Sequence, residues 1–434
     1  MVLNVLDPKN AEKFIEAVND DPEFERAARH VSLNLMLGVG LGYGDKQIYV
    51  QIHGGKVVKF EHLEGVYEAA PEITLKASAE FWENYLKPIP NAPYHAFYAG
   101  MFLGKVMLLG NMELYMAYNW AITRLTDMMR IFQNQLPAED ATIDRYQMGE
   151  FESQVGRYVY VEVEGVKYRI YYEENGQGIP LVCQHTAGCD GQQYRYLIND
   201  PDITSKYRVI VYDLPFHGKS QPPKGVKWWA HDYELRTEWI VNFHKAFFKA
   251  LNLPKGVFLG CSMGGYMAVD LAMEAYDIYK ATIGLGSGLG IGTTDRQPYG
   301  RHPRIANEAN SVVVQSLTAP GIPEECKWEM SWAYTQAGLG TLHGDVYYFN
   351  TEYNRHKTAQ LLDTNRCSVY IMNGEYDYSL SIQRGEELVA KNSGIKFYPM
   401  EGLGHFSIIE DFSMLKEKYL MPVLNQIVEE LAIQ

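Results

Sequence analysis

Residues 257–268 constrain the fold of this chain more than any other segment. An apolar run ends in Gly260-Cys261-Ser262-Met263-Gly264, and small and apolar residues suited to a helix follow. A Gly-x-Ser-x-Gly sequence between a strand and a helix predicts a sharp turn that exposes the serine hydroxyl at the edge of a sheet. Side chains at Gly260 and Gly264 would collide there, because the strand and helix backbones approach closely. Ser262 is therefore a candidate nucleophile.

The composition bounds the remaining interpretation. The 434 residues exceed one ordinary domain, and 47% hydrophobic with 21% charged residues is typical of a globular chain. The formal net charge of −14 disfavours nucleic acid and anionic membranes as partners. Five scattered cysteines lack the spacing of metal ligands, the N terminus lacks a signal-peptide pattern, and no apolar run reaches about 20 residues. We expect a cytoplasmic protein without metal, organic cofactor or stable membrane insertion.

Residues 1–135 form a first predicted domain. Its expected elements are a helix from 7 to about 24, strands at 31–39, 46–52, 57–60 and 73–78, a helix at 79–86, a helix at 92–100, and a terminal helix from 112 to about 132. His53-Gly54-Gly55-Lys56 predicts a hairpin turn between two of the strands. This order predicts an α+β domain with antiparallel strands.

The pattern of the first domain resembles the sterol carrier protein family. The residues that carry the resemblance are the Gly-Gly hairpin, Thr74-Leu75-Lys76-Ala77-Ser78 with its following aromatic helix, and the segment from Gly100 to Asn111. Members of this family enclose an apolar tunnel, so the resemblance implies a site for a hydrophobic ligand. The alternative is that the apolar helices only pack against a second subunit or against the rest of the chain. We expect a homodimer.

Residues 136–154 are a predicted linker, because the segment around Pro137 is polar and lacks periodicity. From residue 155 to the C terminus, a leading hairpin precedes strands that alternate with helices. This alternation predicts a mostly parallel sheet covered on both faces. The second predicted domain, 155–434, contains the Ser262 segment.

Three further segments give the second domain a resemblance to the α/β-hydrolase family. They are Gln184-His185-Thr186-Ala187-Gly188 after one strand, Asn373-Gly374-Glu375-Tyr376-Asp377 after another, and Gly402-Leu403-Gly404-His405 after a third. The order Ser262, Asp377, His405 is that of the family's catalytic triad. The resemblance implies that His405 is the general base, that Asp377 orients it, and that the N–H groups of Ala187 and Met263 form the oxyanion hole. The family usually has glycine where this chain has Thr186.

A long insertion at about 290–357 is rich in aromatic residues, and the same resemblance implies a helical cap there. Four aromatic residues are candidates for the substrate pocket: Trp228, Trp332, Tyr348 and Phe406. The alternative is that the aromatic residues of the insertion only hold the cap together.

The resemblance implies a serine hydrolase that cleaves an ester or lactone bond of a small, bulky, apolar or aromatic substrate through an acyl-enzyme. Two other functions are also compatible with the sequence. Ser262-Met263-Gly264-Gly265 resembles the C–C bond hydrolases of aromatic ring cleavage. A lipid-carrying protein whose hydrolase half only binds its ligand is the second.

Overall fold

The computed structural model describes residues 3–40, 45–63, 71–137, 147–290, 311, 313–338 and 340–432. The chain divides into two compact units. The first comprises Met1–Ala141 and Pro303–Ser316, and the second comprises Thr142–His302 and Leu317–Gln434. The sequence analysis placed a linker at 136–154 and gave the whole insertion at 290–357 to the second domain. The structural division falls inside that linker and groups Pro303–Ser316 with the first unit.

The first unit contains a five-stranded sheet with the order β3-β2-β1-β4-β5. The strands are β1 (Leu33–Val39), β2 (Lys46–His53), β3 (Lys56–Leu63), β4 (Ile73–Ala77) and β5 (Val106–Gly110). All neighbours are antiparallel except β1 and β4, which are parallel. The sequence analysis expected antiparallel strands throughout. The difference arises because β4 does not extend the hairpin but pairs with β1 on the side opposite β2, running in the same direction.

Several short helices and one long helix accompany this sheet in the described residues up to Leu136. They are α1 (Ala11–Asn19), α2 (Pro22–Ala27), α3 (Ala79–Tyr85), α4 (Phe97–Phe102), α5 (Met112–Ala117) and α6 (Asn119–Asn134). Phe14 of α1 packs against Phe60 of β3 and Phe132 of α6, with ring centroids 4.7 and 5.5 Å apart. The terminal helix expected at 112–132 is two helices, because the chain leaves helical geometry at Tyr118.

The second unit contains an eight-stranded mixed sheet with the order β13-β12-β11-β10-β8-β9-β7-β6. The strands are β6 (Val155–Val163), β7 (Val166–Asn175), β8 (Ile179–Gln184), β9 (Tyr207–Tyr212), β10 (Gly256–Cys261), β11 (Tyr279–Leu285), β12 (Ser368–Gly374) and β13 (Lys396–Met400). The six strands from β13 to β9 are parallel, whereas β7 and β6 are antiparallel. The carboxyl ends of the parallel strands therefore share one edge.

The described helices of the second unit are α7 (Arg195–Ile198), α8 (Pro201–Thr204), α9 (Thr237–Leu251), α10 (Met263–Glu274), α11 (Glu324–Thr335), α12 (Thr341–Tyr347), α13 (Ile382–Lys391), α14 (Ser407–Glu410), α15 (Phe412–Leu415) and α16 (Met421–Ala432). Strand β10 and the first ten residues of α10 are entirely buried, which places them in the core. Within the described ranges, the longest apolar helices fall short of what a bilayer crossing needs.

Candidate active site

Ser262 occupies the turn between β10 and α10. Its backbone has φ 57° and ψ −110°, a left-handed conformation that costs free energy for a residue with a side chain. The Ser262 N–H donates to the Leu285 carbonyl of the neighbouring strand at 2.7 Å, which holds the turn against the sheet edge. The serine is only partly buried, whereas Cys261 and Met263 on either side are buried. The turn therefore presents this one side chain.

Two glycines permit the turn. A Cβ added to Gly260 would collide with the backbone of Gly264, one turn into the helix. A Cβ added to Gly264 would lie 2.8 Å from the carbonyl oxygen of Gln184 at the end of β8. The close approach expected from the sequence is thus present between the strand, the helix and the neighbouring strand.

Asp377 and His405 follow β12 and β13 and meet at the same edge. Asp377 Oδ2 lies 2.5 Å from His405 Nδ1, and Asp377 Oδ1 accepts from the Ser379 hydroxyl at 2.8 Å and from the Leu380 N–H at 2.7 Å. Burial alone would raise the pKa of Asp377, but the His405 contact and these donors hold the pKa below its usual value. Asp377 is therefore a carboxylate that accepts a hydrogen bond from the protonated Nδ1 of His405.

The Ser262 turn and this pair adjoin each other. The Cys261 thiol donates to the His405 carbonyl oxygen at 3.4 Å, so the residue before the serine contacts the histidine loop. Gly286 follows Leu285, whose carbonyl accepts from the Ser262 N–H. A Cβ added to Gly286 would lie 3.6 Å from Asp377 Oδ2. The Ser262 turn thus lies beside the loops that carry Asp377 and His405, the other two residues that the sequence analysis selected.

Glu410 braces the His405 loop, although the sequence analysis did not select it. This carboxyl is almost completely buried and accepts from the backbone N–H groups of Gly404 at 2.7 Å, Phe406 at 2.7 Å and Ala319 at 3.1 Å. Burial raises the pKa of Glu410 to about 7, against the lowering effect of these donors. Because Gly404 and Phe406 flank His405, Glu410 fixes the backbone on both sides of the imidazole.

The Ala187 N–H is oriented by the histidine that precedes its loop. His185 Nε2 accepts from the Leu214 N–H at 3.1 Å, so the ring proton is on Nδ1, which donates to the Thr186 carbonyl at 2.8 Å. Burial and the neighbouring His217 keep the pKa of His185 well below its usual value, in agreement with a neutral ring. In a trans peptide the Ala187 N–H points opposite to the Thr186 carbonyl. It is therefore directed away from His185.

Met263 is the first residue of α10. The first N–H groups of a helix have no acceptor within the helix and carry a partial positive charge. The Met263 N–H can therefore donate to an anionic oxygen near Ser262.

The four candidate pocket residues have different surroundings. Phe406 is buried with its ring centroid 4.6 Å from that of His405, and Trp332 on α11 is 68% exposed. Trp228 is partly exposed beside Phe216. Tyr348 is completely buried, and its hydroxyl donates to Asp270 Oδ2 at 2.8 Å. The structure thus places Phe406 beside His405. It places Tyr348 in the core behind α10, because the Tyr348 hydroxyl pairs with the buried carboxylate of Asp270.

The family model of the alpha/beta hydrolase fold matches residues 179–309. A solved structure of an aryl esterase candidate from Burkholderia cenocepacia has a TM-score of 0.51 at 16% identity, covering 64% of this chain and 100% of that one. The second unit has the α/β-hydrolase fold. This confirms the α/β-hydrolase fold predicted for residues 155–434, with a mixed sheet in which six of the eight strands are parallel. The sterol-carrier resemblance of the first unit stays a prediction.

Two curated relatives align with parts of this chain. A pimeloyl-[acyl-carrier protein] methyl ester esterase of Legionella pneumophila (strain Lens) is 34% identical over 105 residues, or 24% of this chain and 36% of the relative. A 2-hydroxy-6-oxo-6-phenylhexa-2,4-dienoate hydrolase of Burkholderia cepacia is 29% identical over 150 residues, or 33% of this chain and 48% of the relative. The chain thus spans between about a third and a half of the length of these relatives.

Proposed function

We propose that the second unit is a serine hydrolase that cleaves an ester or lactone bond of a small, bulky, apolar or aromatic substrate. The observation that carries this proposal is the strained, partly exposed Ser262 at the sheet edge where the buried Asp377–His405 hydrogen bond also lies. Strain of this kind persists where the surrounding structure imposes it, and it is common at active sites. The esterase relative from Legionella supports the reaction class.

The proposed mechanism uses groups of this chain alone. With the Nδ1 proton held by Asp377, His405 Nε2 takes the Ser262 proton while the serine oxygen attacks the substrate carbonyl carbon. The N–H groups of Ala187 and Met263 stabilise the resulting oxyanion, and the leaving oxygen departs with the proton from His405. A water molecule then gives a proton to His405 and attacks the acyl carbon. The bond between the acyl carbon and the serine oxygen breaks, His405 returns the proton to that oxygen, and the acid is released.

The substrate class is tested by comparing kcat/KM for aryl esters, aliphatic esters and lactones in the wild-type protein and in Ser262→Ala. We expect turnover of the bulky apolar esters or lactones, and loss of that turnover by several orders of magnitude in the variant. Equal rates for the two proteins would contradict the proposal. A folded variant, checked by circular dichroism, is the necessary control.

A C–C bond hydrolase is the second candidate, because the Burkholderia cepacia relative is a hydrolase of a phenyl-substituted dienoate. Both reactions use a carbonyl electrophile and an oxyanion hole, so the triad does not separate them. Parallel assays with an aryl ester and with a 2-hydroxy-6-oxo-dienoate would do so. A higher kcat/KM for the dienoate would favour this second candidate.

A further inference from the structure

Two helices of the insertion, α11 and α12, contact the loop that carries Ala187. The Tyr334 hydroxyl of α11 donates to Thr186 Oγ1 at 3.3 Å. Asp345 of α12 accepts from the Gly188 N–H at 2.8 Å through its Oδ2. Since Thr186 and Gly188 flank Ala187 in sequence, the insertion holds this loop on both sides.

Asp345 is completely buried, and its environment explains how a carboxylate can lie there. The same Oδ2 that accepts from Gly188 lies 2.8 Å from His217 Nε2. His217 Nδ1 donates to the Pro215 carbonyl at 2.9 Å, so the contact with Asp345 requires a further proton. Burial would lower the pKa of His217, but the charge and hydrogen bond of Asp345 raise it above its usual value. The pair is therefore an imidazolium and a carboxylate, with the Gly188 N–H as an additional donor.

These contacts fix the two peptide planes around Ala187. The plane that contains the Ala187 N–H is held by the hydrogen bond from His185 to the Thr186 carbonyl. The next plane contains the Gly188 N–H, and Asp345 holds it. The Gly188 backbone has φ +66°, and a Cβ there would lie 3.0 Å from Leu342 of α12. The loop therefore has little freedom to find another arrangement while Asp345 is in place.

We propose that Asp345 is a positioning residue: by holding the Gly188 peptide, it keeps the loop in the arrangement in which the Ala187 N–H faces the reacting carbonyl oxygen. This inference rests on the proposed function, because it assigns Asp345 to the oxyanion hole of the same site. An oxyanion donor stabilises the transition state more than the bound substrate. Loss of the positioning contact should therefore lower kcat and leave KM largely unchanged.

The test compares Asp345→Ala with Asp345→Asn in the full-length protein. The alanine variant removes the acceptor, whereas asparagine keeps an oxygen that can accept from the Gly188 N–H. Complete loss of an oxyanion donor costs about 10²–10³ in kcat, so we expect a decrease of about 10- to 100-fold for alanine, with KM within about threefold. Asparagine should recover most of kcat. If the alanine variant does not fold, Asp345→Leu removes the acceptor while keeping the same number and branching of side-chain heavy atoms.

Amide hydrogen exchange of residues 186–189 tests the contact independently of catalysis. We expect faster exchange at Gly188 in the alanine or leucine variant and near wild-type exchange in the asparagine variant. Unchanged exchange, or a loss that appears in KM rather than in kcat, would overturn the positioning role. If the wild-type protein neither hydrolyses esters nor reacts with a fluorophosphonate, the proposed function and the catalytic role of Asp345 both fail. In that case, hydrogen exchange tests only whether Asp345 holds the Gly188 N–H.

Discussion

Replacement of Glu410 should both destabilise the second unit and slow catalysis. In Glu410→Ala, the N–H groups of Ala319, Gly404 and Phe406 lose their acceptor inside the protein. A buried donor without a partner costs about 1–3 kcal/mol, so three donors predict a loss of at least about 3 kcal/mol in the free energy of unfolding. In Glu410→Gln, the amide oxygen can take the place of Oε2 and accept from the N–H groups of Ala319 and Gly404. The amide nitrogen then faces the Phe406 N–H, which loses its acceptor. One unsatisfied donor predicts a loss of about 1–3 kcal/mol.

The catalytic effect follows from His405, which lies between two of the three donors. A displacement of about 1 Å at a catalytic group can cost about 10² in rate, so we expect kcat to decrease in the order wild type, glutamine, alanine. Urea unfolding at pH 8 and ester kinetics well below the melting temperature measure the two effects. Exposed Glu417 supplies the matched control, since Glu417→Ala should change stability by no more than about 0.5 kcal/mol. An alanine variant within about 1 kcal/mol of wild type, with unchanged kcat, would refute this reasoning.

The other predictions concern the triad, the insertion and the serine turn. Asp377→Asn should fold but lose on the order of 10⁴ in kcat, because an amide no longer holds the His405 Nδ1 proton; an unchanged kcat would exclude the assigned role. The pKa of His217 is raised in the folded protein, so its pairing with Asp345 stabilises the fold fully at pH values below the usual histidine pKa of 6.5. This stabilisation is lost as the pH rises through the higher pKa of His217 in the folded protein. Urea titrations should therefore show the stability advantage of wild type over Asp345→Asn shrinking above about pH 6.5, and a constant difference would contradict the ion pair. Gly264→Ala should destabilise the protein by more than about 1 kcal/mol, because its Cβ would press on a carbonyl at 2.8 Å. A melting temperature equal to that of wild type would show that the turn can relax.

Much of the fold of the second unit could be predicted because its signals are local. The apolar run before Ser262 and the small residues after it specify a strand, a turn and a helix within twelve residues. The acid and histidine follow apolar runs that form β12 and β13. Since the carboxyl ends of parallel strands share an edge, a correct topology brings these residues together.

The features that the sequence analysis missed depend on distant partners. Asp345 contacts Gly188 and His217, which lie 157 and 128 residues away, so no local pattern marks it. Glu410 does have a signal, since it ends the apolar run that follows His405, yet its role depends on backbone donors in two separate segments. In the sequence, Tyr348 looks the same as an aromatic residue that lines a pocket. Only its hydrogen bond to buried Asp270 in the structure shows that it lies in the core.

The first unit was harder to predict for a related reason. Its strand segments were recognisable from their alternating patterns, but nothing local specifies that β4 pairs in parallel with β1. Ligand binding and dimer formation by this unit stay predictions from the sequence.

Stoichiometric labelling with a fluorophosphonate tests the central claim most directly, because only an activated serine beside an oxyanion hole reacts rapidly with such a reagent. Intact mass spectrometry followed by peptide mapping would locate the adduct. The account predicts one adduct per chain, located on Ser262 and absent from Ser262→Ala, with ester hydrolysis lost in step with labelling. An adduct on another residue, or ester hydrolysis that persists in a fully labelled protein, would contradict it.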